Sequence, residues 1–232
     1  MQSPSPSGVP YEKEVQKTMN VPKKTIVAIG AHPDDIEAGC GGALRNHINQ
    51  GYRVGALVLT KGERGAHHPE STECVSSLSS LGVQLEDILI LDFPDGKVAG
   101  IEVISAIEEF LERYTPDIVY SHTERDRHQD HRNTYLATAV AARNTNTLLL
   151  YEAPSTSSKF EPHHYVDIRS TINNKLAALA HYTSQLNKGT VLHLDFVKAQ
   201  AIYWGYKNTC RNNTNETPYA EAFEINHSVV IR

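Results

Sequence analysis

Cysteine is scarce in this chain: Cys40, Cys74 and Cys210 are the only three among 232 residues. Their odd number and lack of paired spacing exclude the disulfide framework of a small secreted domain, and a reducing, cytoplasmic setting is expected. Long apolar runs are missing too, none nearing the roughly 18 residues that cross a bilayer. Residues 1–10 lack the basic start and apolar stretch of a signal peptide. Basic residues are outnumbered, 22 Lys and Arg against 27 Asp and Glu, for a formal charge of −5. Without a Lys/Arg run there is no positive footprint for nucleic acid, so none is expected as a partner. With 40% hydrophobic and 21% charged residues, the composition is that of a globular protein rather than of a disordered or collagen-like one.

Against these scarcities stand twelve histidines, and histidine is both the commonest metal ligand and the side chain that titrates near neutrality. Which of them matter depends on where the elements place them. Residues 1–23, rich in Pro and Ser, read as a flexible tail ahead of one domain over 24–232. From Lys24 onward, β-type runs at 25–29, 52–59, 88–91, 117–121 and 147–151 alternate with helical stretches at 36–50, 69–81, 101–114 and 130–144. Uninterrupted apolar runs such as Ile26-Val27-Ala28-Ile29 and Ile88-Leu89-Ile90-Leu91 suit parallel strands buried on both faces. The class is therefore α/β, a mostly parallel sheet in the doubly wound order 3-2-1-4-5 between helix layers. Beyond residue 152 the pattern loosens into a loop at 154–162, a short strand at 165–168, helices at 170–186 and 193–205, and a last strand at 221–225.

Two clusters carry chemistry. The first strand runs into Gly30-Ala31-His32-Pro33-Asp34-Asp35, with Glu37 in the first turn of the helix that follows. A dinucleotide fold would place its Gly-rich phosphate loop here, but acidic groups repel a pyrophosphate. Gly39, Gly41 and Gly42 lie inside the helix, where close packing is their expected role. Helix capping accounts for acids at a helix start. The conjunction of His32 with two successive carboxylates also suits a borderline cation. The second cluster follows the fourth strand and contains Asp126, His128, Asp130 and His131. Histidines three apart share a side of a helical turn, and a carboxylate commonly accepts the second N–H of a metal-binding histidine.

The doubly wound order sets these two strands side by side, their carboxyl ends at one crevice. His32, Asp35 and His131 would then form a three-ligand zinc site with an open position, the catalytic pattern. A fourth ligand from His128 would close the tetrahedron and make the site structural, and spacing does not choose between the two.

At these residues the sequence resembles the LmbE-like, or PIG-L type, zinc-dependent N-deacetylases. The resemblance spans about 24–225 and rests on Ala31-His32-Pro33-Asp34-Asp35 and His128-Gln129-Asp130-His131. Support comes from Leu59-Thr60-Lys61-Gly62-Glu63-Arg64-Gly65, from Lys175 with His181-Tyr182-Thr183-Ser184-Gln185, and from Glu221-Ala222-Phe223. Ile36 departs from the pattern, standing where the family often has Glu. The resemblance implies a Rossmann-like three-layer α/β/α sandwich, one Zn²⁺ per chain held by His32, Asp35 and His131, and Asp34 as general base. It makes His128 an oxyanion or proton-transfer partner oriented by Asp130, and places Arg64 and Asp126 against substrate. The implied reaction is removal of an N-acetyl group from an N-acetylglucosamine-type amino sugar or its conjugate, with a homo-oligomer, trimer or hexamer, as the implied assembly. A positively charged His128 would stabilise the oxyanion. An amidase for larger acyl groups and a non-catalytic zinc-binding module are the alternatives. Of the other histidines, His47 is expected on the solvated side of its helix and His122 to pack beneath the second cluster. His67-His68 and His163-His164 are expected in loops at the mouth of the crevice.

Overall fold

A computed structural model describes residues 24–62, 69–186, 193–208 and 216–229. The expected tail over 1–23, Arg64 and the His67-His68 pair lie outside the described residues.

Five strands follow the expected alternation: β1 (Thr25–Gly30), β2 (Arg53–Val58), β3 (Ile88–Ile90), β4 (Ile118–His122) and β5 (Thr147–Tyr151). Between them run α1 (Asp35–Asn49), α2 (Pro69–Leu81), α3 (Ile101–Tyr114) and α4 (Gln129–Ala141). Then come β6 (His164–Asp167), α5 (Ile172–Leu179), α6 (Thr183–Leu186), α7 (Leu194–Asn208) and β7 (Ala220–Ser228). The sheet order is β3-β2-β1-β4-β5-β7-β6, parallel through β5. β7 runs antiparallel to both β5 and β6. His164, expected in a loop, begins β6.

The unbroken apolar run of β1 has a simple cause, whereas β3, at the sheet edge, is only half-buried. Along β1, Ile26 and Ala28 face a core shared with α1, α2, α5 and α7, while Val27 and Ile29 face a second core under α3 and α4. All four are fully buried, as expected for a strand covered on both faces. The result is an α/β/α sandwich whose two cores meet at the central strands.

α1 packs tightly on the sheet, and glycine permits it. A Cβ at Gly39 would fall 2.2 Å from the Tyr151 ring, whose hydroxyl donates to the Ile29 carbonyl at 2.8 Å. A buried ion pair also fixes this helix. Lys175 of α5 donates to Glu221 of β7 at 2.6 Å and to the Ala38 carbonyl at 2.7 Å. Glu221 accepts the Gly42 and Ala43 amides at 2.9 and 2.7 Å.

The helix expected over 170–186 is two helices, α5 and α6. Tyr182, between them, donates its hydroxyl to buried Glu37 at 2.8 Å. The Ser184 amide and hydroxyl donate to Glu73 at 3.0 and 2.5 Å, restarting the chain as α6.

Candidate metal centre

β1 and β4 are parallel neighbours, with Ile26, Val27 and Ala28 opposite Ile118, Val119 and Tyr120. Here the strand order reverses, and loops leaving the carboxyl ends of adjacent strands open a crevice at such a point. The turn after β1 carries His32, Asp34 and Asp35, and the loop after β4 leads to His128, Asp130 and His131.

His32, Asp35 and His131 converge. His32 Nδ1 lies 3.3 Å from His131 Nε2 and 3.4 Å from Asp35 Oδ2, and His131 Nε2 lies 3.3 Å from Asp35 Oδ1. Carboxylates face the outer ring nitrogens: His32 Nε2 is 3.3 Å from both Asp130 Oδ2 and Asp95 Oδ1, and His131 Nδ1 is 3.1 Å from Asp126 Oδ2. A neutral imidazole has one proton, and carboxylates behind the rings hold it on the outer nitrogen. Two lone pairs and the Asp35 carboxylate then converge, Oδ2 beside His32 and Oδ1 beside His131. Ligands about 2.0–2.2 Å from a tetrahedral zinc stand about 3.3–3.6 Å apart, the spacing found here. The donor set fits such a cation.

Protons are the alternative way to hold these groups together. Burial opposes a charge on His32, but hydrogen bonds to Asp130, Asp35 and Asp95 outweigh it and push its pKa up to about 12. For His131, burial is likewise overcome by Asp35 and Asp126, to about 9. Burial works against ionising Asp35 as well, yet His131 and His122 hold it well below the usual carboxylate range.

Asp34 does not behave as a helix cap. Its side chain makes no capping hydrogen bond, and its backbone sits at φ 90°, ψ −25°, a strained conformation for a residue with a Cβ. Desolvation, with Asp35 and Glu37 adjacent, raises its carboxyl well above the ordinary value.

Three expected roles change. The Asp130 carboxylate accepts the Gly96 and Val98 amides at 2.6 and 3.2 Å and faces His32. Only its backbone N–H reaches His128, donating to Nδ1 at 3.2 Å. His128 therefore keeps its proton on Nε2, and burial beside His131 and His32 lowers its pKa, so the ring is neutral rather than positively charged. Its centroid lies 4.8 Å from that of His32 and 4.7 Å from that of His131. Asp126, expected against substrate, is instead 4% exposed. It accepts from the His128 amide, Ser155 and Thr156 at 2.7, 2.6 and 2.9 Å besides facing His131.

Asp95 escaped the sequence reading, and His122, expected only to pack beneath the second cluster, also faces a candidate ligand. Asp95 follows β3, and a carboxyl-end loop at the same crevice was the signal that could have found it. It lines a cavity of about 420 Å³ with Lys61, Asp92, Phe93 and Lys97. His122 is fully buried and sits 3.1 Å from Asp35. Burial lowers its pKa to about 4, with His131 adding to the effect. Ligand atoms of His32, His128 and His131, and of Asp35, His122 and His131, also lie within 4.8 Å of one another. The metal-capable cluster is thus wider than the expected triad. His47, expected to face solvent, bonds through Nε2 to the Tyr120 hydroxyl at 2.9 Å.

The model of the GlcNAc-PI de-N-acetylase (PIG-L) family matches residues 27–142, half of the 232-residue chain. The chain belongs to the PIG-L family. A PIG-L relative, the uncharacterized deacetylase YaiS of Escherichia coli, is 37% identical over 70% of this chain and 92% of its own. The 4-oxalmesaconate hydratase of Pseudomonas putida is 27% identical over 48% of each. Among solved structures, the conserved protein TT1542 of Thermus thermophilus superposes with a TM-score of 0.74 at 27% identity, covering 89% of this chain and 96% of that one. This PIG-L member is a hydrolase acting on a linear amide, an N-deacetylase. Among the described residues no helix is long and apolar enough to cross a membrane.

Proposed function

We propose that this chain removes the N-acetyl group from an N-acetylglucosamine-type amino sugar or its conjugate, with one zinc ion held by His32, Asp35 and His131. The convergence of three lone-pair donors, each histidine backed by a carboxylate, carries this reading. Zinc supplies Lewis acidity at such a site and brings the pKa of water towards about 7.

This chain's own residues do the rest. Asp34, free of side-chain capping and raised in pKa, takes the proton of the attacking water, since a base works best with a pKa near the operating pH. His128 donates Nε2–H to the developing oxyanion, a contribution of about 3–4 kcal/mol per donor in other enzymes. Asp34, holding the proton it took from water, returns it to the leaving nitrogen as the C–N bond breaks and acetate departs. Asp130 and Asp126 act behind the ligands by fixing the tautomers of His32 and His131. The cavity beside Asp95, about 420 Å³ with charged and aromatic walls, suits a polar ring such as a sugar. Residues 24–232 act as one deacetylase domain with the part beyond residue 152 completing the crevice, a reading supported by the bonds from Ser155 and Thr156 to Asp126.

The hydratase relative favours a second reading, addition of water across a carbon–carbon double bond. Acetate release from a panel of N-acetylated amino sugars separates them: release abolished by a chelator and restored by zinc is the expected outcome. Chelator-resistant release overturns the metal's role. No acetate from any sugar, with consumption of an unsaturated carboxylic acid, favours the hydratase reading.

A further inference from the structure

His122 ends β4 fully buried, with its ring stacked on that of His131 at 3.9 Å and 18° and with Tyr151 behind it at 4.7 Å. Fully buried against both rings, it has no room to swing away. Its Nε2 lies 3.1 Å from Asp35 Oδ2 and 3.2 Å from the Ala31 amide, while its Nδ1 is buried without a partner.

One nitrogen cannot both donate to the carboxylate and accept from the amide, so the two contacts compete for the tautomer. A proton on Nδ1 would bury an unsatisfied donor and set the Nε2 lone pair against a carboxylate oxygen, two unfavourable terms. A proton on Nε2 costs the Ala31 amide its acceptor but makes a charge-assisted bond, the stronger kind, which outweighs that loss. Asp35 Oδ2, which also lies 3.4 Å from His32 Nδ1, then holds two donors, His122 Nε2–H and the His32 amide at 2.7 Å, while Oδ1 is turned towards His131 Nε2 at 3.3 Å.

We propose that His122 is a positioning residue that ties down Asp35 Oδ2 through Nε2–H, so that Asp35 offers the metal one oxygen, Oδ1. The inference rests on the metal-site reading above. The test is zinc affinity, measured by competition with a chromophoric chelator, for the wild type, His122→Phe and His122→Gln, each checked for folding by circular dichroism. Phe keeps the ring and loses the donor; Gln places an amide N–H near the Nε2 position. Weakening by about 10–100-fold is typical when a group behind a metal ligand is removed, and that loss is expected for Phe, with Gln close to wild type. Equal affinity of Phe and wild type overturns the proposal. So does a Gln variant as weak as Phe, which would make His122 a ligand or a packing element. A wild type that binds no zinc overturns the metal reading instead. Should Phe fail to fold, ¹⁵N resonances of the wild-type His122 ring decide: protonation at Nε2 is expected, and protonation at Nδ1 overturns the proposal.

Discussion

Asp34 stores strain where the chemistry is proposed. Its φ of 90° costs on the order of 1–3 kcal/mol in a residue with a Cβ, whereas glycine adopts that region freely. Asp34→Gly should therefore abolish turnover while leaving thermal stability equal to wild type or higher, and a marked loss in a melting experiment would show that the carboxylate supports the fold. Asp34→Asn should still bind zinc but lose about 10²–10⁴ in kcat; loss of the metal would mean that Asp34, not Asp35, is the ligand. Both signature clusters were legible in the sequence because each is contiguous and chemically dense. Which carboxylate serves which histidine was not. Asp130 is claimed by amides of residues 96 and 98 and Asp126 by hydroxyls of 155 and 156, and local spacing carries no trace of partners about 30 residues away.

At the level of elements, periodicity located the strands from β1 to β5 and the helices between them nearly to the residue, since burial on both faces leaves an unbroken apolar run. It failed at 170–186, where bonds from Tyr182 to Glu37 and from Ser184 to Glu73 outweigh continuation of one helix. Glu37 and Glu73 sit more than a hundred residues upstream, beyond the reach of a helical pattern. The same long reach makes α1 dependent on α5 and β7. Lys175→Met leaves the Glu221 carboxylate buried with only the Gly42 and Ala43 amides. Breaking a buried pair from one side costs about 3–5 kcal/mol, and urea unfolding should show a loss of that size. A loss under about 1 kcal/mol would place the pair among weak surface bridges.

The whole molecule should respond to pH differently with and without its metal. His131 holds its proton up to about 9 in the folded metal-free chain, against an ordinary value near 6.5. Its contribution is full below pH 6.5 and is lost as pH rises towards 9, and His32, held to about 12, follows the same sign at higher pH. Zinc must displace those protons, so its affinity rises over the same interval. Melting curves at pH 6.5 and 9 should show the chelated protein falling in Tm while the zinc-induced increment in Tm grows. An increment independent of pH would refute the proton assignment.

The pairing of β1 with β4 joins His32 to a partner 99 residues further along the chain. At about 5–20 residues per second of synthesis, the ribosome releases the first histidine of the site on the order of 5–20 s before the second. A metal that needs both histidines would thus find them together only once the central strands have paired, as the last component of a finished fold rather than as the seed of a nascent one.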